Sequence, residues 1–423
     1  MKKVYRGKLW ELGFTSGGIV NDEQWRPPVS LEHRDATRHG IQMYILSSKS
    51  SSYLYVSLGF EAICHTSSTL TITFCMPRVV EEGGGAAAVV EEFSGAWSEF
   101  GLVVGAPHQC HGGDVPLQVG YYKGKCPLAD VEAIVGGIVK AWYKRDPTIP
   151  AALLRMQFHD CFVNLFIQIF FKGCDASILL DGSNSEKTAV PNLSVRGYEI
   201  IDAAKSAVEA ICPGVVSCAD IIVMATRDAV ALGGGGRYIV QTGRRDGNVS
   251  LAKNVDLPSP SILVSDSIKA FAKKGLNATD MVYLLGGHTV GITHCSLIQD
   301  RLYNFQNTGK PDPTMDSSLL SALRQRCPRN ASVDSSVNLD QNPLSSMTVD
   351  NSYYRQIIMK RGILKIDQEL ALDPLSKPTV GAIANGFDFS TRFGQAMIKL
   401  GTVDVLTGKQ GQIRSYCRAI NKP

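Results

Sequence analysis

The stretch FHDCFVNLFIQIFFKGCDAS, residues 158–177, decides how the chain can fold, because it sets titratable side chains on both sides of an apolar run. Just before it, Arg155 and His159 are four positions apart, and on a helix this spacing places both side chains on one face. Together they would combine a base with a fixed cation, which suits deprotonation of a small acid and stabilisation of its anion. Taken alone, the pair is more typical of a solvated helix face.

A second histidine, His288, follows Gly286 and Gly287 in LLGGHTVG. Because glycine has no side chain, a flat and bulky group could approach the backbone closely here, and a macrocycle is one candidate. A core histidine whose ring nitrogen is satisfied by a neighbouring carbonyl is the other interpretation. This segment by itself leaves both open.

Composition sets broad limits on function. The 423 residues include 44% hydrophobic side chains, which is enough for a substantial core. The 43 basic and 39 acidic residues give a net charge of +4, too small to indicate nucleic acid or an anionic membrane surface as the main partner. Residues 53–75 are the most apolar stretch, but Glu61 and His65 argue against a membrane span.

The chain changes character near residue 115. Residues 1–115 contain Gly/Ala/Glu-rich segments and are treated as an unassigned extension that we expect to be poorly ordered. Residues 116–423 carry amphipathic patterns typical of one mainly α domain. Helices are predicted at 128–144, 150–163, 198–212, 216–232, 262–274, 276–290, 316–326, 351–360 and 388–400.

Eight of the 11 cysteines fall after residue 115, and an even number of them indicates disulfides and an oxidising compartment. Sequons at Asn248, Asn277 and Asn330 agree with a secreted glycoprotein. The start MKKVYRGKLWELGF nevertheless lacks the apolar core of a signal peptide. A metal site at HQCH (108–111) is disfavoured because a second ligand pair is missing.

Seven motifs occur in order between the cysteines: FHDCFV, GCDASILLDG, VSCADI, GRRDG, GGHTVG, DNSYY and DQEL. In this respect the chain, from about residue 116 to 423, resembles the secreted plant haem peroxidases of class III. The resemblance implies two helical halves that sandwich one haem b, four disulfides and a monomer. It further implies reduction of hydrogen peroxide to water, with one-electron oxidation of phenolic or aromatic donors. The expected location is extracellular or in the cell wall, with the vacuole as an alternative.

The resemblance also implies roles at the haem. His288 would be the axial ligand of the iron, and Asp367 would accept a hydrogen bond from its other ring nitrogen. His159 would be the distal base that moves a proton between the peroxide oxygens. Arg155 would stabilise the charge that develops, and Phe158 would form a wall of the distal pocket.

Three further residues take roles from the same resemblance. Asn192 would hold His159 in the required tautomer, with Glu186 supporting it from behind. Although Asn192 lies in a formal sequon, burial in such a role would preclude a glycan. Pro258 would lie at the haem edge where reducing donors dock.

Two calcium ions are implied as well. The distal ion would be bound by Asp160, Val163 (carbonyl), Gly173 (carbonyl), Asp175 and Ser177. The proximal ion would be bound by Thr289, Ser345, Thr348 (carbonyl), Asp350 and one further side chain. Asn342 stands where the family has that last aspartate, and Asp340 could serve instead.

The disulfide pairing implied by the family is Cys126–Cys212, Cys161–Cys174, Cys218–Cys417 and Cys295–Cys327. By the same comparison, residues 165–172 (LFIQIFFK) are an insertion between FHDCFVN and GCDAS. Loop lengthening costs only about 0.6 kcal/mol per doubling, so we expect the run to loop out and the Cys161–Cys174 bond to close. We also expect an impaired distal calcium site. The alternative is a non-catalytic haem-binding or wall-binding glycoprotein whose distal site the insertion disables.

Overall fold

The computed structural model divides the chain into two compact units, Met1–Gly112 and Gly113–Pro423. It describes residues 116–126, 129–163 and 173–422, together with the backbone of five strands in the first unit. The inserted residues 165–172 and the HQCH segment at 108–111 therefore lie outside the described residues.

The first unit contributes two small antiparallel sheets. Strands β1 (Leu31–Ala36), β2 (Ile41–Ser48) and β3 (Ser51–Ser57) pair in the order β1-β2-β3. Strands β4 (Cys64–His65) and β5 (Thr71–Ile72) form a short second pair. The expected poor order of residues 1–115 stays a prediction.

The second unit is mainly helical. Its α-helices are α1 (Val131–Tyr143), α2 (Ile149–Cys161), α3 (Tyr198–Glu209), α4 (Cys218–Leu232), α5 (Val264–Ala272), α6 (Ala278–Leu285), α7 (Gln299–Tyr303), α8 (Ser317–Arg326), α9 (Ser352–Ile358), α10 (Lys365–Leu372), α11 (Lys377–Asn385) and α12 (Phe389–Leu400). Strands β6 (Ile292–His294) and β7 (Ser336–Asn338) form an antiparallel pair.

Local sequence explains several helix boundaries. Asn277 accepts from the Asp280 backbone N–H at 2.8 Å while the Asp280 carboxylate accepts from the Asn277 N–H, so α6 begins with a capping box. Ser217 caps α4 in a similar way through the Asp220 N–H. Every helix predicted from the sequence is present, and all but the one at 276–290 begin and end within a few residues of the expected positions.

One predicted helix is shorter than expected. The pattern at 276–290 gives α6 only to Leu285, and a tighter 3₁₀ turn, Gly286–Thr289, carries His288. Glycine has low helix propensity, and a Cβ on Gly286 would lie 2.3 Å from the Tyr354 hydroxyl. The helix therefore ends where the backbone has to pass close to Tyr354.

The helices pack in two groups. In the first, α1, α3 and α4 pack on one another and α2 packs on α4; the second contains α5, α6 and α9–α12, with α6 packed on α5, α11 and α12. The groups meet where the turn Gly286–Thr289 packs against α2. This arrangement of two helical halves is the one expected from the sequence, and it places His288 opposite the helix that carries His159.

Three disulfides are formed as predicted: Cys161–Cys174, Cys218–Cys417 and Cys295–Cys327. The Cys161–Cys174 bond closes even though the inserted residues lie between its two cysteines. The fourth prediction is corrected, because Cys126 and Cys212 are free thiols. They are close enough for a thiol hydrogen bond, and Cys212 also donates to the Lys125 carbonyl at 3.7 Å, so the two sulfurs are neighbours without a covalent bond.

Among the helices of the described residues, none has both the length and the apolar composition of a membrane-crossing segment.

Candidate active site

His288 is fixed by a buried carboxylate. Its Nδ1 lies 2.7 Å from Asp367 Oδ1, and Asp367 is fully buried near the start of α10. The other carboxylate oxygen accepts from the Leu364 backbone N–H at 3.0 Å. Because Nδ1 is engaged by Asp367, Nε2 is the ring nitrogen left to bind a metal, and the carboxylate raises its basicity.

Tyr353 shares the same carboxylate oxygen. Its hydroxyl donates to Asp367 Oδ1 at 2.9 Å, and its ring meets the His288 ring edge to face at a centroid distance of 6.1 Å. Burial, followed by the charge of Asp367, raises the pKa of Tyr353 well above its usual value. The phenol is therefore a neutral, permanent donor. The DNSYY motif contains this residue, but its role could not be recognised from the sequence.

Arg155 and His159 lie on one face of α2, as their spacing predicts. Arg155 Nε donates to His159 Nε2 at 3.2 Å, and His159 Nδ1 lies 2.6 Å from Asn192 Oδ1. An amide oxygen can only accept, so the hydrogen is on Nδ1 and the lone pair is on Nε2. Burial first, and then the neighbouring Arg155 charge, lowers the pKa of His159 to about 4. The imidazole is thus neutral over the physiological range.

The partners of this pair are themselves held in place. Asn192 is buried, and its Nδ2 donates to the Glu186 backbone carbonyl at 2.9 Å. Glu186 therefore supports Asn192 through its main chain. The Arg155 guanidinium also donates to Ser194 Oγ and to the Pro191 carbonyl, both at 2.9 Å. The sequence predicted Asn192 through the family resemblance, whereas these two anchors were missed.

The residues around the two histidines fit a flat prosthetic group. A Cβ on Gly287, next to His288, would meet no atom within 4 Å, which is the open space that such a group needs. On the α2 side, Phe158 stacks on Phe162 with ring centroids 4.3 Å apart and contacts His159 edge to face. Pro258 is half-buried in the segment before α5.

The residues predicted to bind the distal calcium include two neighbouring buried acids. Asp160 and Asp175 are both buried, and burial, followed by the Asp175 charge, raises the pKa of Asp160 to about 7. One oxygen of Asp175, Oδ2, has no hydrogen-bond partner. A buried carboxylate that lacks a partner is costly, so this donor set fits a cation.

The loop that carries these acids has an unusual backbone. Cys174 and Ala176 adopt φ values of +46° and +59°, which non-glycine residues rarely do. The Asp160 carboxylate accepts from the Ala176 N–H at 3.0 Å, and Ser177 Oγ donates to Glu186 Oε2 at 3.2 Å. Asp160, Asp175, Ser177 and Glu186 are thus brought together, and strain of this kind is common at binding loops.

The two predicted carbonyl donors, Val163 and Gly173, flank the stretch 164–172. The Val163 carbonyl accepts from Lys274 Nζ at 2.9 Å, and the Gly173 N–H donates to the Asp404 carbonyl at 3.2 Å. Lys274 and Asp404 belong to no motif recognised in the sequence. Their charged side chains were the only signal in the sequence, and each of the two residues lies more than 100 positions from Val163.

At the predicted proximal calcium site, Thr289 Oγ1 donates to the Thr348 carbonyl and to Asp350 Oδ1, both at 3.2 Å. The pKa of Asp340 is raised, first by burial and further by the negative charge of Asp350. The two acids are therefore neighbours. Ser345 Oγ donates to Asp340 Oδ2 at 3.4 Å.

Asn342 lies beside this cluster with its amide group in use. Its Nδ2 donates to Ser345 Oγ and Ser352 Oγ, and its Oδ1 accepts from the Leu344 N–H. Of the two residues that the sequence left open, Asp340 is the one with a carboxylate, whereas the Asn342 amide is already engaged in hydrogen bonds.

Within the described part of the chain, no group of three or more His, Cys, Asp or Glu side chains could hold a metal by itself. Both predicted calcium sites accordingly depend on hydroxyl and carbonyl oxygens in addition to carboxylates. Calcium accepts such mixed oxygen ligands.

The sequence is similar to known peroxidases over most of its length. The Peroxidase family model matches residues 135–386, more than half of the 423 residues. Peroxidase 60 of Arabidopsis thaliana is 53% identical over 315 residues, which are 74% of this chain and 91% of the relative. Peroxidase 57 of the same plant is 50% identical over 72% of this chain and 93% of the relative. Peroxidase N1 of Nicotiana tabacum is 43% identical over 72% of this chain and 90% of the relative.

These matches and the site geometry agree with one another. None of them supports a non-catalytic protein of the same fold, and the family implies haem and calcium in general. The chain therefore belongs to the peroxidase family and is a plant-type haem peroxidase, an enzyme that acts on hydrogen peroxide.

Proposed function

We propose that the enzyme binds one haem b between α2 and the turn Gly286–Thr289, and that it reduces hydrogen peroxide while oxidising phenolic or aromatic donors. His288 Nε2 would be the axial ligand. The observation that carries this proposal is the pair of histidines on facing elements, each with its ring fixed at Nδ1, by Asp367 in one case and by Asn192 in the other.

Haem, when bound, supplies the redox centre that takes the oxidising equivalents of peroxide. His159 Nε2 accepts a proton from one oxygen of hydrogen peroxide and returns it to the other, so that water leaves. Asn192 keeps the hydrogen on Nδ1 and thereby keeps the Nε2 lone pair available. Arg155 stabilises the negative charge that develops as the O–O bond breaks.

The resting contact between Arg155 Nε and His159 Nε2 is long, at 3.2 Å. Peroxide would displace this contact when it binds. The two other guanidinium hydrogen bonds, to Ser194 and Pro191, would meanwhile keep the charge beside the reacting oxygens.

We further propose two calcium ions. The distal ion would be bound by the side chains of Asp160, Asp175 and Ser177, with the Val163 and Gly173 carbonyls. The proximal ion would be bound by Thr289, Asp340, Ser345, Thr348 and Asp350, with Asp340 in place of Asn342. Donors would approach near Pro258. We also propose that the enzyme is a monomer and that it is secreted to the cell wall or extracellular space, and the similarity to plant peroxidases supports the extracellular location.

Replacing His288 by alanine tests the haem ligand. Haem affinity should fall by more than the roughly 10–100-fold that loss of a ligand's hydrogen-bond partner costs. Added imidazole should restore part of the haem absorbance, since it can occupy the space of the deleted ring.

His294→Ala is the matched control, because His294 is half-exposed and pairs with Asp334. Undiminished haem binding in His288→Ala would contradict the proposal, whereas haem binding by the unaltered protein without peroxide turnover would favour the non-catalytic alternative.

Replacing Tyr353 by phenylalanine tests the proximal hydrogen bonds. Loss of one donor to Asp367 Oδ1 leaves more negative charge facing the His288 N–H, which makes the ligand more basic. The reduction potential of the haem iron, measured by spectroelectrochemistry, should become more negative, with less than about a tenfold change in the peroxide rate.

Tyr354→Phe is the control for Tyr353, since the Tyr354 hydroxyl donates to the Val282 carbonyl at 2.8 Å. Equal shifts in the two variants, or a positive shift in Tyr353→Phe, would rule out this role.

A further inference from the structure

Both ends of the stretch 164–172 are attached to one residue. The Gly173 N–H donates to the Asp404 carbonyl at 3.2 Å. The Asp404 carboxylate pairs with Lys274 Nζ at 3.0 Å, and the same ammonium donates to the Val163 carbonyl at 2.9 Å. Asp404 thus holds Gly173 directly and Val163 through Lys274. We call Lys274 and Asp404 the clasp.

The clasp is built into the protein interior. The Lys274 side chain is only 7% exposed and the Asp404 side chain 27%. Asp404 has φ of +50°, a conformation in which a non-glycine side chain is strained. A Cβ on Gly173 would lie 2.8 Å from the Cys161 carbonyl and 3.2 Å from the Val403 carbonyl, so the returning chain passes tightly against both segments. An ammonium buried to this degree is costly unless it is paired.

The Cys161–Cys174 bond has a different structural effect. It joins the two ends of the stretch to each other, one residue outside Gly173 and two outside Val163. It does not attach them to the rest of the domain. The clasp does so, because Lys274 follows α5 and Asp404 follows α12.

We propose that Lys274 and Asp404 are positioning residues that hold the ends of the inserted run on the domain. The Val163 carbonyl and the end of α2, with Asp160 and His159, then keep their places in spite of the added length. A carbonyl oxygen has two lone pairs, so the ammonium takes one and leaves the other for a cation. The statement about the cation rests on the proposed calcium site, whereas the positioning of the two chain ends does not.

We expect the clasp to contribute more to the stability of the domain when residues 165–172 are present than when they are deleted. When those residues are deleted, Asn164 joins Gly173 directly, and the covalent chain itself keeps Val163 near Gly173. Loss of the clasp should then cost much less. An ordinary buried ion pair would cost the same in both forms of the chain.

Lys274→Met is therefore made in the full chain and in the chain lacking 165–172, and thermal unfolding is measured for all four proteins. We expect the midpoint to fall by about 5 °C or more in the full chain and by less than half as much in the shortened one. Calcium affinity, measured by competition with a chromophoric chelator, should weaken about tenfold or more in the full chain only. Lys269→Met is the control, because Lys269 is exposed on α5 and paired with Asp266.

Asp404→Asn serves as the milder variant if Lys274→Met does not fold, since it keeps the backbone acceptor and removes only the charge. Equal losses of midpoint in the two chain lengths, or no loss in the full chain, would overturn the proposal. The midpoints are compared at the same haem and calcium loading in both chain lengths, so a failure of the proposed peroxidase site would be seen separately, as missing haem binding or turnover. Unchanged calcium affinity with a length-dependent midpoint would overturn only the calcium part.

Discussion

Replacing His159 by alanine should lower the second-order rate constant for hydrogen peroxide by about 10²–10⁴-fold, the range that general acid–base catalysis contributes. Arg155 would remain, but a cation cannot carry a proton from one peroxide oxygen to the other. Haem binding should be retained, since His288, the proposed ligand of the iron, lies on the turn Gly286–Thr289. Stopped-flow mixing of the haem-loaded protein with peroxide measures the rate constant directly.

The control is Gln157→Met, on the same helix. Gln157 is buried, and neither of its amide atoms has a hydrogen-bond partner, so removing the amide leaves the distal site intact. Its peroxide rate should stay within a few-fold of the unaltered protein, about 1 kcal/mol or less in activation free energy. A His159→Ala protein that reacts as fast as this control would rule out the distal base.

The pH dependence of the same rate gives a second check on His159. The reaction needs the neutral imidazole, and the pKa of His159 is lowered to about 4 by burial and by Arg155. The rate should therefore be flat above about pH 5 and fall about tenfold per pH unit below pH 4. Arg155→Leu removes the positive neighbour, which raises the pKa of His159 and moves the fall to higher pH. An unmoved profile in Arg155→Leu would contradict this electrostatic coupling.

The fold was largely predictable because helical periodicity and caps are local signals. Asn277 and Asp280 stand three apart and indicate the start of α6 directly. The end of α6 was not predictable, because the passage of Gly286 against Tyr354 joins segments that are distant in the sequence. Three short helices, α7, α10 and α11, were missed, since five to nine residues carry too little periodicity to detect.

In the candidate site, too, local contacts could be predicted from the sequence and long-range contacts could not. The i, i+4 relation of Arg155 and His159 is local, and it correctly indicated that their side chains meet. Asn192 lies 33 positions from His159, so only the family resemblance could connect them. The contact of Lys274 with Val163 spans 111 positions and belongs to no family motif, so neither pattern nor resemblance could reveal it. Long-range contacts between single side chains need the folded structure.

Calcium should stabilise the domain through Asp175. Replacing Asp175 by asparagine should therefore lower the stability of the domain in calcium but not in chelator. In calcium at 100 times its dissociation constant, an intact site contributes about 2.7 kcal/mol. Asp175→Asn keeps the size of the side chain but removes a ligand charge, so most of that contribution should be lost. In chelator the variant should be as stable as the unaltered protein or more so, because it relieves the repulsion of Asp175 with buried Asp160 and Glu186.

Denaturant unfolding with calcium and with chelator measures both arms of this comparison. Asp181→Asn is the control, since Asp181 lies on the same loop but is 57% exposed and paired with Lys187. An ion pair whose carboxylate is exposed to this degree contributes about 0–1 kcal/mol. The calcium dependence of Asp181→Asn should therefore match that of the unaltered protein. If Asp175→Asn retained the full calcium dependence, the distal ion could not be bound by the buried acids. If it were destabilised equally in calcium and in chelator, the unpartnered Asp175 oxygen would have only a packing role.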